Sequence, residues 1–384
     1  MVNGREVLRF GVAGSGNRSQ AYAHVVAQLE GARMAAIAAG SRVAADLQRS
    51  IPGLAIERDV SGLIRRPGID ALVVADPVVD LPALVRRALL ADKHVLATVS
   101  SPITCGQFEE LTLLARRHGR LLMFTEERFF QPGLVFLRWM LSGGKNLWQP
   151  SYVRAASAPG SGNGPPSSIG VVILEELALC CRLLGESPTS VSGIVSRPGN
   201  ESVPAAAFLN MLYADGRAVS LQMSSTETQE TRQWTLATPS KTVLLDECDL
   251  RSPLRIVSCD SEAARGALLH VNPPVPLADW PSESTVSPPL QSTDVKLEQC
   301  RHFMDSALKQ DLRQTNAAFW AEVALVFEAA QESIRLGGMP ISLDSAAEPQ
   351  RRVAGERPKL RLIHGKGTGD VEARKRPALT LVPR

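Results

Sequence analysis

The sequence predicts an α/β protein in which an N-terminal, doubly wound parallel sheet is followed by an α+β unit with an open, mainly antiparallel sheet. Three observations carry this. Through the first 125 residues, apolar stretches of strand length alternate with longer amphipathic stretches, which is the βαβ signature. A glycine-rich turn stands directly between the first strand and the first helix. From Ser190 to about Asp249 the pattern changes to period-two alternation, as expected of a sheet with one solvated face.

With 384 residues the chain is long enough to build two cores. Strands are expected over 8–13, 33–39, 71–75, 94–98 and 121–125, with helices between them such as 81–91 and 105–118. The first unit closes shortly after Pro150, giving a division at 1–150 and 151–343. A loop over 156–168, rich in Gly, Pro and Ser, is expected to border a cleft, and a strongly apolar helix follows over 170–184. Further strands are expected at 218–224 and 233–237. The segment 252–293 is rich in Pro and Ser without periodicity and reads as a long excursion. Helices over 295–308 and 315–336 then fold back on the first unit, the second ending at Gly337-Gly338.

Hydrophobic residues make up 44% and charged residues 21%, the balance of an ordinary globular protein. The net charge of +3 is unevenly spread: residues 344–384 hold ten Lys or Arg against five Asp or Glu. The body is therefore slightly acidic, and 344–384 reads as a disordered basic tail. That tail lacks the aromatic interleaving of a nucleic-acid binder and the amphipathic pattern of a membrane-surface helix, so neither partner is expected. Six cysteines (Cys105, Cys180, Cys181, Cys248, Cys259, Cys300) show no metal-ligand spacing and read as reduced thiols; no metal is expected. No secretory signal and no apolar run of membrane length is present, which points to the cytoplasm.

The segment from Phe10 to Ser19 reads FGVAGSGNRS. Gly14 permits a tight turn, Gly16 lets backbone approach a pyrophosphate, and the following helix start, near Gln20, offers free N–H groups and a positive dipole end. Gly11, Gly14, Gly16, Asn17 and Arg18 are therefore candidate dinucleotide-binding positions, with Ser19 where a third glycine usually stands. A structural turn without ligand is the alternative. The second strand ends in Ala38-Ala39-Gly40-Ser41-Arg42 with no acidic residue for a ribose 2′-hydroxyl. Ser41 and Arg42 would suit a 2′-phosphate, favouring NADP over NAD, unless Arg42 merely solvates a helix start.

At this point the chain resembles the glucose-fructose oxidoreductase, inositol dehydrogenase and rhizopine-catabolism family, Gfo/Idh/MocA, over roughly residues 7–343. The resemblance is carried by the glycine turn, Ala75-Asp76-Pro77, Lys93-His94-Val95-Leu96 with Pro102, Arg128-Phe129 with Gly143-Gly144, Arg154, and the run from Leu183 to Pro188. It implies a Rossmann domain, an open sheet used in homo-oligomerisation, and hydride transfer between NAD(P) and a carbohydrate-like carbonyl or alcohol. It adds Asp76, Pro77, Ser101 and Pro102 to the cofactor-binding candidates, and Glu127 and Arg128 as candidates for binding substrate, Arg128 alternatively stabilising the cleft.

Two departures bear on catalysis. The family's lysine near the reacting oxygen is replaced by Ser101, with Ser100 beside it; a serine can hydrogen-bond an alkoxide but cannot neutralise it. The family's Asp/His/Asp helix motif falls on Val171, Glu175 and Ala178, so Glu175 alone could move a proton there, as a buried carboxyl with a raised pKa. Glu175 and Ser101 are the catalytic candidates. Two readings stand: an NAD(P)-dependent oxidoreductase with altered catalytic groups, or a catalytically weakened dinucleotide-binding regulatory or assembly protein of the same fold.

Overall fold

The computed structural model describes residues 7–14, 16–78, 80–142, 150–159, 169–198, 204–238, 241–249, 251–258, 285–343 and 360–362. Its first sheet is formed by β1 (Leu8–Ala13), β2 (Ala32–Ala38), β3 (Ala55–Glu57), β4 (Ala71–Val74), β5 (His94–Ala97) and β6 (Leu122–Phe124). The crossovers are α1 (Asn17–Gln28), α2 (Ser41–Ser50), α3 (Val60–Arg65), α4 (Leu81–Leu90) and α5 (Cys105–Arg117). The order is β3-β2-β1-β4-β5-β6 with every neighbouring pair parallel. Helices cover both faces, so β4 and β5 are buried at every position and read as unbroken apolar runs. Local sequence starts the helices: Asp80 accepts from the Ala83 N–H at 3.0 Å, and Thr104 with Gln107 forms a capping box ahead of α5.

The strand order reverses between β1 and β4. In an open parallel sheet the crossovers on either side of such a reversal leave opposite ways, leaving a crevice at the carboxyl ends of the strands. The Gly14–Gly16 turn follows β1 and Asp76 follows β4, so both open on it.

After α6 (Pro132–Ser142) the second sheet begins with β7 (Tyr152–Pro159), followed by α7 (Ile169–Leu184). Then come β8 (Ser190–Ser196), β9 (Ala206–Leu212), β10 (Ala218–Ser224), β11 (Glu230–Ala237), β12 (Lys241–Asp246), β13 (Leu254–Ser258) and β14 (Thr285–Val286). Two helices, α8 (Val295–Leu308) and α9 (Ala317–Arg335), precede β15 (Ile341–Leu343) and β16 (Leu360–Leu362). The order is β14-β13-β12-β11-β7-β10-β9-β8-β15-β16. Pairing is antiparallel except between β7 and β10, so the sheet is mixed and mainly antiparallel. Its inner face, including Leu209, Met211, Val219 and Leu221, is buried with the apolar side of α7.

The last two helices join the sheets. Helix α8 packs on α1, and α9 lies against α5, α7 and β8. Asn316, just ahead of α9, pairs with the edge of β6 that no strand among the described residues covers: its Nδ2 donates to the Phe124 carbonyl at 2.9 Å and its Oδ1 accepts from the Phe124 N–H at 2.7 Å. One side-chain amide thus completes an edge strand. Trp320 stacks beside Phe108 (6.1 Å between centroids), which meets Phe124 edge-on at 5.0 Å. At the other sheet Gly193 lets α9 approach: its N–H donates to Ser333 Oγ at 2.9 Å, and a Cβ there would press on Leu209 and Ile334.

Several expected boundaries move. Helix α1 begins at Asn17 rather than near Gln20, because the Gln20 N–H already finds the Gly16 carbonyl at 3.3 Å. The start of the loop expected over 156–168 is strand: Ala156 to Pro159 pair with β11, the small side chains of Ala156, Ser157 and Ala158 hiding the alternation. Residues 160–168 lie outside the described residues. The excursion expected over 252–293 contains two strands, β13 and β14, which pair with each other; both are too short for a period to show in the sequence. Of residues 344–384, 360–362 form β16 on β15, and the rest, like Gly143-Gly144 and Cys259, lie outside the described residues. Among the described residues, no helix is long and apolar enough to cross a membrane.

Because Asn316 supplies both partners of the Phe124 backbone, Asn316→Ala should cost about 1–3 kcal/mol, the usual penalty for part-buried groups left unpaired. Urea midpoints of the two proteins, taken with their m-values, measure it.

Candidate functional site

The glycine turn is built by backbone geometry. Gly14 has φ +144°, a conformation open to glycine, and its N–H donates to the Ala38 carbonyl at 3.0 Å, tying the turn to β2. Ser19 is fully buried and donates to the Gly16 carbonyl at 2.8 Å. That bond explains how a serine fits the place of a third glycine: its hydroxyl folds onto its own helix instead of pressing on the sheet. Gly11 has a different office. It lies inside β1, where a Cβ would stand 2.7 Å from Ile69 Cδ1, so its smallness serves packing below the turn.

Opposite the turn stands Asp76. Its Oδ2 accepts from the Gly16 N–H at 2.6 Å. A Cβ on Gly14 would overlap this carboxylate, and one on Gly16 would stand 3.1 Å from its Oδ1. The space that the two missing side chains leave is filled by this carboxylate, an anionic group held on a backbone N–H at the start of a helix, the kind of donor that a pyrophosphate would also use. Asn17 and Arg18 are exposed in the first turn of α1, and Pro77 is exposed beside Asp76. Arg42 is exposed in the first turn of α2, which Ser41 opens.

The carboxyl end of β5 borders the same crevice. There Thr98 Oγ1 and Ser100 Oγ are buried without a hydrogen-bond partner among the described residues, Ser101 is half-buried and Pro102 exposed. Buried hydroxyls seldom stay unpaired. Both stand at the carboxyl end of β5, next to β4 in the sheet, where a ligand could pair them, and Thr98 has no sequence signal beyond its place at a strand end.

A buried charge network forms the second wall. Arg128, in a 3₁₀ turn at Glu127–Phe130, donates from Nη1 to Glu176 Oε1 at 2.6 Å, from Nε to Glu247 Oε2 at 3.0 Å and from Nη2 to Glu247 Oε1 at 2.5 Å. All three nitrogens are thus committed to protein carboxylates. Burial alone would lower the Arg128 pKa; Glu176 and Glu247 outweigh it and hold the guanidinium above its ordinary value. Glu247 lies 119 positions away on the β12–β13 connection, and nothing in the sequence announces it. Glu127 accepts from Tyr22 Oη at 2.7 Å and pairs with Lys296 Nζ at 2.9 Å, tying the turn to α1 and α8. Glu126 takes Arg182 Nη2 at 2.8 Å, and the Arg182 guanidinium sits 3.9 Å from the centre of the Phe319 ring.

Glu175 and Glu176 divide their tasks as their 100° separation on a helix dictates. Glu176 is buried against Arg128, while Glu175 is partly open and forms no hydrogen bond or ion pair among the described residues. Burial pushes the Glu175 carboxyl above the usual carboxylate range and Glu176 adds to the push, against the pull of Arg128, Arg232 and Arg18. Val171 and Ala178 are buried, so Glu175 is the proton-carrying group on that face of α7. Among the described residues no cluster of His, Cys, Asp or Glu could hold a metal ion.

No family model matches the chain. An uncharacterized oxidoreductase, YdgJ, from Escherichia coli (strain K12) is 29% identical over 140 residues, 36% of this chain and 39% of the relative; the match thus spans well under half of that protein. Similar solved structures cover far more. UDP-N-acetylglucosamine 3-dehydrogenase GnnA from Acidithiobacillus ferrooxidans matches with TM-score 0.70 at 16% identity, over 86% of this chain and 99% of that one. GenD2 from gentamicin A biosynthesis, in complex with NAD, matches with TM-score 0.71 at 16% identity, over 89% and 97%. The 3-ketoreductase KijD10 from Actinomadura kijaniata, in complex with TDP-benzene and NADP, matches with TM-score 0.70 at 16% identity, over 85% and 98%. The chain has the fold of Gfo/Idh/MocA-type dehydrogenases, as its motifs imply.

The raised Glu175 pKa carries a sign for stability. A carboxyl whose folded pKa lies above its unfolded one binds more protons folded, so stability falls as pH rises from the ordinary carboxylate value through the raised one. Glu175→Gln removes that dependence. Relative to wild type, the variant should gain stability between acidic pH and pH 8, read as the difference in urea midpoints at each pH; a constant difference would contradict the assignment.

Proposed function

We propose that this chain, sharing the fold of the Gfo/Idh/MocA-type dehydrogenases, is an NAD(P)-dependent oxidoreductase acting on a sugar, polyol or related carbonyl compound. One observation carries the reading. The glycine turn stands at the strand reversal, tied to β2 through the Gly14 N–H and with the Gly16 N–H directed at a carboxylate, where α/β sheets bind ligands. The Thr98 and Ser100 hydroxyls at the end of β5 and the carboxyl of Glu175 on α7 are the further groups the reading calls on. Gly14, Gly16, Asn17 and Arg18 would hold the pyrophosphate, Ser41 and Arg42 a 2′-phosphate, and Pro77, Ser101 and Pro102 the rim. The nicotinamide, when bound, accepts or delivers the hydride. Glu175 takes the hydroxyl proton as the alcohol is oxidised and returns it in the reverse direction, while Ser100 and Ser101 donate to the reacting oxygen. Arg128 and Glu127 hold the cleft wall, Arg128 through Glu176 next to the proposed base. Dinucleotide-bound neighbours of the same fold support the cofactor class.

A second reading, a catalytically weakened dinucleotide-binding regulatory or assembly protein, is favoured by one specific feature: the cleft offers Ser101 where the family's lysine would neutralise the alkoxide. Fluorescence titration with NADPH and NADH, followed by nicotinamide absorbance with a panel of sugars, inositols and their keto forms, separates the two. Turnover that Glu175→Gln lowers by about 10²–10⁴ supports the enzyme; tight binding without turnover on any member of the panel supports the second reading.

The division into a nucleotide-binding unit at 1–150 and a substrate unit at 151–343 goes with this proposal, as does a cytoplasmic location. The outer face of the second sheet supports a homo-oligomer. Ile194, Phe208, Leu212 and Tyr152 are exposed there by 55%, 39%, 53% and 39%, and Ile194 pairs directly across from Phe208. These apolar side chains share the face with Asn210, Ser220 and Gln222, and exposed apolar groups clustered in this way support an interface. Phe208→Glu should shift the chain towards monomer in analytical ultracentrifugation with dinucleotide binding retained; an unchanged sedimentation coefficient would exclude this face.

A further inference from the structure

We propose that Asp76 is a built-in competitor for the dinucleotide phosphates, its carboxylate holding the chain's dinucleotide affinity below what the glycine turn alone would give. The inference rests on the dinucleotide reading above and concerns how that site is regulated by its own chain.

The placement of Asp76 follows from topology. β1 and β4 run side by side with Ala13 opposite Val74, and the Ala75 N–H donates to the Ala13 carbonyl at 3.2 Å. One residue further, the two chains leave the sheet together, so position 76 faces the Gly14–Gly16 turn. A short carboxylate there reaches the Gly16 N–H at 2.6 Å. The absence of side chains on Gly14 and Gly16, which would admit a pyrophosphate, is what admits Asp76.

The electrostatics then oppose a ligand. The N–H groups and dipole at the start of α1 attract an anion, and Asp76 already supplies one. Among the described residues the carboxylate has no ion-pair partner, its hydrogen bond being to backbone. Its negative charge therefore stands beside the place where a pyrophosphate would bring two more. An entering dinucleotide must displace the carboxylate from Gly16 or lie against it, and either course weakens binding. An amide at the same position keeps an oxygen for the Gly16 N–H and loses the charge.

Dissociation constants for NADPH and NADH, measured by fluorescence at low ionic strength on wild type, Asp76→Asn and Asp76→Ser, test this. Asp215→Asn, in the β9–β10 turn of the second sheet, is the control for net charge. Both Asp76 variants should bind at least about tenfold more tightly, with the gain shrinking as salt is added, while Asp215→Asn matches wild type. Wild-type binding that Asp76→Asn and Asp76→Ser leave unchanged or weaken would overturn the inference and leave the dinucleotide reading standing. Failure of every folded protein in the set to bind either dinucleotide would overturn both.

Discussion

The reversal of strand order between β1 and β4 is the constraint on which the rest of the molecule depends. Parallel pairing of these two strands fixes where their carboxyl ends stop, and the opposite directions taken by the crossovers keep that point uncovered. The register sets the glycine turn against Asp76 and puts the end of β5 on the same edge of the sheet, although more than eighty residues separate Gly14 from Ser100. Helix α9 ties the first sheet to the second through Asn316, Trp320 and Ser333.

The wall opposite the turn is costly to build. Arg128, Glu176 and Glu247 are withdrawn from water, and a buried ion pair recovers its desolvation only through close geometry. Here the geometry is close, yet two carboxylates share one guanidinium and Glu176 Oε2 is left without a partner among the described residues. Burial raises the pKa of Glu175 one residue away, while within the network Arg128 pulls it down and Glu176 pushes it up. A network that ties the 3₁₀ turn to α7 and the β12–β13 connection thus also tunes the group best placed to move a proton.

How much of this was legible follows from the range of each interaction. The N-terminal sheet could be read because burial on both faces writes continuous apolar runs between helical ones, and β1, β10 and α8 have the bounds the sequence predicts. The glycine turn could be read because its chemistry is local. Short strands such as β3, β13 and β14 could not, since two to five residues carry no period. The charged network was half legible: Arg128 is named by the family resemblance, but its pairing with Glu247 is set by tertiary folding alone. The meeting of Asp76 with Gly16 spans 60 positions and emerges only once β1 and β4 are side by side.

The central claim is that the crevice at this reversal binds a dinucleotide. Amide hydrogen exchange of the full chain, with and without saturating NADPH, tests it most directly by asking where protection appears. Slowed exchange concentrated in peptides covering the Gly14–Gly16 turn with the start of α1, and in those covering Asp76 and the end of β5, is the predicted result. Exchange unchanged in those peptides, or protection confined to the second sheet, would contradict the account.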